Sequence, residues 1–252
     1  MSPYSSAFWL SSPNVAAAEI AGQIGYDSVV LDIEHGTFDL ATLERFIPFL
    51  RALNLRVIAK VLSPDRGPIQ QALDFGASAV AIPHVENLAH AREVCAFGKF
   101  PPLGKRSFAG GRTANYGGVT DSWVTAQDTT TAVYPMIEDA GALEEIDQIL
   151  ALETVDGVFV GPSDLSLSSK RGAYTRMGGD FADLTVLADA ARRAGKPWIF
   201  PSWSPEEKEF GVRNGADILV LNLEHGALYE GFANSFAEMT QLRESLLRVT
   251  RT

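Results

Sequence analysis

The chain has a single cysteine, Cys95, in 252 residues. That excludes an intrachain disulfide and any zinc site built on several thiolates. Its setting, AREVCAFGKF, reads as a helix face and predicts a buried structural thiol rather than a nucleophile. Cations are outnumbered: 21 Lys and Arg stand against 31 Asp and Glu, for a formal net charge of −10. A nucleic-acid partner would need clustered cations to meet its phosphates, so this balance argues against one. It leaves open an anionic small molecule, which a few local cations or a metal could hold. No stretch approaches the ~18 apolar residues of a membrane span. The opening MSPYSSAFWLSSP has no basic segment followed by an apolar core, so it does not read as a signal peptide. These absences together predict a cytoplasmic protein with neither a membrane nor a nucleic-acid partner.

What the chain does have is regular alternation. Short apolar runs occur at 7–10, 28–33, 56–60, 79–84, 132–137, 157–161, 196–200 and 217–222. Most are continuous in Val, Ile and Phe, as expected of parallel strands covered on both faces. Between them lie segments with apolar residues at three-to-four spacing that stop near Gly, such as VAAAEIAGQIG and FADLTVLADAARRAG. The segment 227–249 reads as an additional C-terminal helix. Eight β and eight α units suit either a doubly wound open sheet or a closed (β/α)₈ TIM barrel. A length near the ~250 residues of one barrel favours the barrel, as a single domain over 1–252.

In such a barrel, chemistry gathers where the strands end. The second strand ends in Asp32, Glu34 and His35, the third in Lys60, and the fourth in His84. The fifth is followed by Glu138 and Asp139, the sixth by Gly161, Pro162, Ser163 and Asp164. Glu138 and Asp164 follow neighbouring strands, and two converging carboxylates suit Mg²⁺ or Mn²⁺, with Co²⁺ also possible. The bland alternative is loop carboxylates in solvent or on helix N-termini. Gly161 allows close approach of a ligand, and the following amides could grip a carboxylate; an ordinary turn capped by Ser163 or Asp164 is the competing reading. His35 suits proton transfer near neutral pH, with Asp32 or Glu34 to orient it, although an isolated His is often structural. His84 and His225 suit packing or support. In the Gly-rich stretch 101–118, Arg106 and Arg112 could hold an anionic substrate or serve a subunit surface. The segments 29–38 and 219–228 repeat the pattern Glu-His-Gly after a strand, through duplication, two strand ends facing one pocket, or chance.

The order LDIEHG, PPLGKRSFAGGR, YPMIED and GVFVGPSDLS resembles the HpcH/HpaI aldolase family, of the 4-hydroxy-2-oxoheptanedioate aldolase type. The resemblance implies a metal-dependent (class II) lyase that makes or breaks 4-hydroxy-2-oxoacids from pyruvate or hydroxypyruvate and an aldehyde. It implies Glu138 and Asp164 as metal ligands, Gly161 to Ser163 around the substrate carboxylate, His35 in the proton transfers and Asp32 behind it. It also implies a homo-oligomer, a trimer or hexamer with exchanged C-terminal helices. Lys60 stands where the family usually has Arg, which keeps the charge but loses the planar fork. A Schiff base on Lys60 is the chemistry that this change raises. FPSW (200–203) and the segment 222–231 also depart from the family and would shape the aldehyde pocket. Two rival readings stay open: a related barrel lyase or hydrolase acting on another oxoacid or an acyl-CoA, and a non-catalytic oligomeric binding protein.

Overall fold

The structure, a computed structural model, describes residues 4–249. Its first half runs β1 (Ser5–Leu10), α1 (Val15–Ile24), β2 (Ser28–Asp32), α2 (Leu40–Ala52), β3 (Arg56–Lys60), α3 (Arg66–Asp74), β4 (Ala79–Ile82) and α4 (Leu88–Cys95). It continues with α5 (Asp121–Thr130), β5 (Ala132–Ile137), α6 (Ala140–Glu144), α7 (Ile146–Leu150), β6 (Val158–Val160) and α8 (Pro162–Ser168). It ends with α9 (Gly179–Ala194), β7 (Trp198–Pro201), α10 (Pro205–Arg213), β8 (Ile218–Leu223) and α11 (Glu224–Val249). The strands close into a barrel in the order β1 to β8, and every pairing is parallel. The expected barrel is therefore present, with all eight strands where the apolar runs lie.

Period-two alternation explains the two apolar layers. Ala7, Val30, Ile58, Tyr134, Met136, Phe159 and Ile199 fill the barrel interior. Their neighbours Phe8, Leu31, Val57, Val80, Ile137 and Val160 point outward and pack with Leu43, Ile47, Ile69 and Leu187 of the surrounding helices. Parity then fixes the mouth. One step of two beyond Val30 is Asp32, beyond Ile58 is Lys60, beyond Met136 is Glu138 and beyond Phe159 is Gly161. Four positions singled out from the sequence thus share the interior parity at the C-terminal ends of β2, β3, β5 and β6.

The helical count differs from the expected eight. Helix α5 arises from DSWVTAQDTT, whose Thr-rich composition gives weak helical signal; Thr120 caps it by accepting from the Trp123 amide at 3.2 Å. The run LEEIDQILAL divides into α6 and α7 at Glu145, whose carboxylate accepts the Leu88 amide at 2.6 Å. Cys95 is fully buried, as expected, and burial pushes its thiol up.

The long segment after α4 is tied to the far end of the barrel. Lys99 is buried, donates to the carbonyls of Asp128 (2.6 Å) and Thr131 (2.9 Å), and pairs with Asp156 at 2.8 Å, just ahead of β5 and β6. Arg106 is buried over the Phe100 ring, with Nη2 2.8 Å from Asp74 Oδ1 at the end of α3. Helix α11 presents Leu228, Phe232, Phe236, Met239, Leu242 and Leu246 at three-to-four spacing, all exposed in the single chain. Among the described residues, no helix is long and apolar enough to cross a membrane.

Candidate active site at the barrel mouth

Lys60 is the hub of the mouth. Its Nζ lies 3.2 Å from Asp32 Oδ1 and also donates to the Glu34 carboxylate. All three groups are buried, so each charge depends on its partners for the solvation it has lost. Asp32 has two further donors: Trp9 Nε1 at 3.2 Å on Oδ2, and the His35 amide at 3.2 Å on Oδ1. The Lys60 ammonium also lies 5.9 Å from the centre of the Trp9 ring. Two carboxylates thus hold Nζ in place. That opposes the Schiff-base chemistry raised by the sequence, which needs a free amine.

Glu34 takes the place beside His35 that Asp32 could have filled. His35 Nε2 stands 3.5 Å from Glu34 Oε2, and the ring is otherwise open to solvent. Asp32 instead holds the backbone of the turn. Burial raises the pKa of Glu34, but Lys60, His84 and His35 outweigh it and hold this carboxyl below its ordinary value.

His84 bridges the two acidic halves of the mouth. Its Nε2 lies 2.5 Å from Glu34 Oε1, and its amide donates to Glu138 Oε1 at 2.6 Å. Its backbone is left-handed (φ +55°), a conformation that non-glycine residues rarely hold without reason. The dipeptide Pro83-His84 signals only a strand end, so the sequence could assign His84 no more than a supporting role.

Glu138 is buried against Gly161. A Cβ added at Gly161 would come within 2.5 Å of Glu138 Oε2 and 2.9 Å of Glu138 Cβ, so glycine is what lets this carboxylate occupy its place. Burial pushes the Glu138 carboxyl up; the His84 amide and ring oppose that, Asp164 adds to it, and Lys60 opposes it. Gly161 is itself the N-cap of α8, with Pro162 opening the helix and no side-chain cap bond. Ser163 and Asp164 are therefore not caps. They sit exposed in the first turn, where amides have no intrahelical acceptor.

Other sequence candidates go elsewhere. Arg106 is committed to Asp74. Arg112 is exposed in the turn Arg112–Ala114, which Trp123 Nε1 anchors through the Thr113 carbonyl at 3.0 Å. No described contact joins either arginine to the Lys60 cluster. The second Glu-His-Gly makes no described contact with it either: Glu224 is buried and accepts from Ser12 Oγ at 2.6 Å, beside the groove between α1 and the start of α11. Among the described residues, no three His, Cys, Asp or Glu side chains converge as a complete metal cage. Trp9, unremarked in the sequence beyond its strand, proves to be part of the cluster.

A closed parallel barrel with buried, oppositely charged groups at the C-terminal mouth defines the class: a TIM-barrel enzyme scaffold with its site at the strand ends. The chain belongs to the HpcH/HpaI aldolase/citrate lyase family, whose model matches residues 5–196. It is 31% identical over 221 residues to a 2-keto-3-deoxy-L-rhamnonate aldolase of Klebsiella pneumoniae, covering 86% of this chain and 81% of that one. It is 33% identical over 162 residues to a hydroxypyruvate/pyruvate aldolase of Roseobacter denitrificans, covering 64% of this chain and 63% of that protein. Several further rhamnonate-type relatives are matched over only 60% of their own length. The crystal structure of an HpcH/HpaI aldolase from Desulfitobacterium hafniense superposes with a TM-score of 0.86 at 25% identity, over 94% of this chain and 93% of that one.

Proposed function

We propose that the protein is a divalent-metal-dependent aldolase. In this reading it cleaves or forms 4-hydroxy-2-oxoacids from pyruvate or hydroxypyruvate and an aldehyde, as one barrel domain in the cytoplasm. The observation that carries the reading is the pair Glu138 and Gly161. A carboxylate is buried at the interior parity of the mouth, glycine leaves it room, and Asp164 lies close enough to raise its pKa. A cation offsets that cost, and an all-oxygen pair with remaining positions left to water and substrate suits Mg²⁺ or Mn²⁺, with Co²⁺ possible. Glu138 and Asp164 would hold it. When bound, such a cation supplies Lewis-acid stabilisation of negative charge on the substrate oxygens.

The protein's own groups would do the rest. Gly161, Pro162 and Ser163 provide close-approach backbone for the oxoacid carboxylate. Lys60, fixed by Asp32 and Glu34, brings positive charge towards the oxo oxygen. His35 removes the proton from the C4 hydroxyl as the C3–C4 bond breaks; the electron pair enters the oxoacid half, the aldehyde leaves, and a proton returns to C3. Asp32 holds the turn that carries His35, and Glu34 orients its ring. Relatives named for 2-keto-3-deoxy-L-rhamnonate and for hydroxypyruvate/pyruvate support an oxoacid substrate.

The exposed stripe of α11 supports a homo-oligomer, a trimer or hexamer in which the helix packs on another subunit. Arg112 would reach substrate in this reading if the Gly-rich loop of one subunit lies over the mouth of another. Metal-dependent exchange of pyruvate methyl protons for deuterium tests the reading without requiring the aldehyde to be known.

A further inference from the structure

The mouth is charged on one side and aromatic on the other. Asp32, Glu34, Lys60, His84 and Glu138 come from the ends of β2 to β5. On β1 and just after β7 the corresponding groups are Trp9 and Trp203. Their rings meet edge to face, 6.2 Å apart at 78°. Trp9 in turn touches both Asp32 and Lys60, so Trp203 stands one ring away from the charged cluster.

Trp203 is held at its backbone and open at its ring. The buried Ser202 before it donates its amide to the Val220 carbonyl at 2.9 Å. Ser204 after it caps α10 in a reciprocal capping box with Glu207. The indole is nonetheless 37% exposed, an apolar surface fixed at the opening of the barrel. The cations near this rim are already engaged. Lys60 is shared by Asp32 and Glu34, and Arg176 lies 3.1 Å from the fully buried Glu207. At the start of α11, Glu224 adds a further carboxylate, which accepts from Ser12 Oγ at 2.6 Å.

We propose that Trp203, braced on Trp9, is the wall against which the carbon chain of the aldehyde half lies. The site accordingly takes uncharged aldehydes, alkyl or hydroxylated, in preference to those that end in a carboxylate. The C–H groups of such a chain lie well on an indole face. A carboxylate there would lose water, and the rim cations Lys60 and Arg176 are already paired with carboxylates of the chain. This proposal rests on the oxoacid-aldolase reading above and adds the class of the second substrate.

The test compares DL-glyceraldehyde and propionaldehyde with succinic semialdehyde, in aldol addition to pyruvate, for the intact enzyme and for Trp203→Ala, Trp203→Leu and Trp203→Lys. The intact enzyme is expected to favour the uncharged aldehydes at least tenfold in kcat/KM. Trp203→Ala narrows that preference mainly through a higher aldehyde KM, Trp203→Leu keeps most of it, and Trp203→Lys turns it towards succinic semialdehyde. An intact enzyme that prefers succinic semialdehyde, or a preference the same in all four proteins, overturns the proposal. Saturation-transfer NMR on the aldehydes alone needs no turnover and separates the two layers of inference. Transfer from indole protons to propionaldehyde, lost in Trp203→Ala, sustains the wall even where pyruvate exchange fails and the aldolase reading falls. Exchange without such transfer sustains the aldolase and removes the wall.

Discussion

Lys60 and Asp32 are paired twice: as register neighbours across β3 and β2, and as an ion pair with Nζ 3.2 Å from Oδ1. The backbone ladder thus places the charges, and the charges hold the site. Lys60→Met should leave two buried carboxylates without their cation and destabilise the fold by about 3–5 kcal/mol. Lys60→Arg keeps the charge and should cost less, with activity retained in part. Chemical denaturation of both variants measures the difference. Borohydride treatment with pyruvate should add no mass at Lys60.

Glu34 carries a pH signature. Its carboxyl is held below the ordinary value of 4.5, so it contributes stability that is fully present above that value and is lost as pH falls through its lower folded-state value. Glu34→Gln should therefore destabilise the protein at neutral pH, by about 1–3 kcal/mol for the interactions Lys60 loses. The gap between variant and parent should close in acid. Thermal melts between neutral pH and about pH 3 follow it; a gap that stays constant would contradict the assignment.

Gly161 is predicted to tolerate no side chain. In Gly161→Ala the new Cβ would meet Glu138 at 2.5 Å, so the carboxylate must move. The expected cost is about 1–3 kcal/mol in stability, as for other overpacked sites. Divalent-cation affinity, read by calorimetry, should fall at least tenfold, by about 1.4 kcal/mol or more.

Helix α11 should govern assembly. Phe232 and Phe236 are 74% and 78% exposed in the single chain, on the same face. Changing both to Glu puts charge into any subunit contact formed there. Sedimentation should then show a smaller species than the parent, with the barrel's circular dichroism preserved.

The barrel was legible because its signal is repetitive: eight apolar runs of strand length, each followed by a break. The site was legible where parity and strand end coincide, as at Asp32, Lys60, Glu138 and Gly161. It was not legible at Trp9, since a Trp inside an apolar strand looks like core and its indole N–H has no sequence signature. Nor was it legible at His84, whose role comes from a left-handed turn that aims its amide at Glu138. Helix α5 was hidden by its threonines, and the site of Arg106 by the fold of the segment between α4 and α5, whose anchors, Asp74 and Asp128, lie far apart in sequence.

The most direct test of the central claim is exchange of pyruvate methyl protons in D₂O, followed by proton NMR on chelator-treated protein with and without added Mg²⁺ or Mn²⁺. Exchange should appear with the metal, return to background on chelation, and be lost in Glu138→Ala. Exchange that is indifferent to metal and to Glu138, or absent with pyruvate and hydroxypyruvate alike under every metal, would contradict that claim.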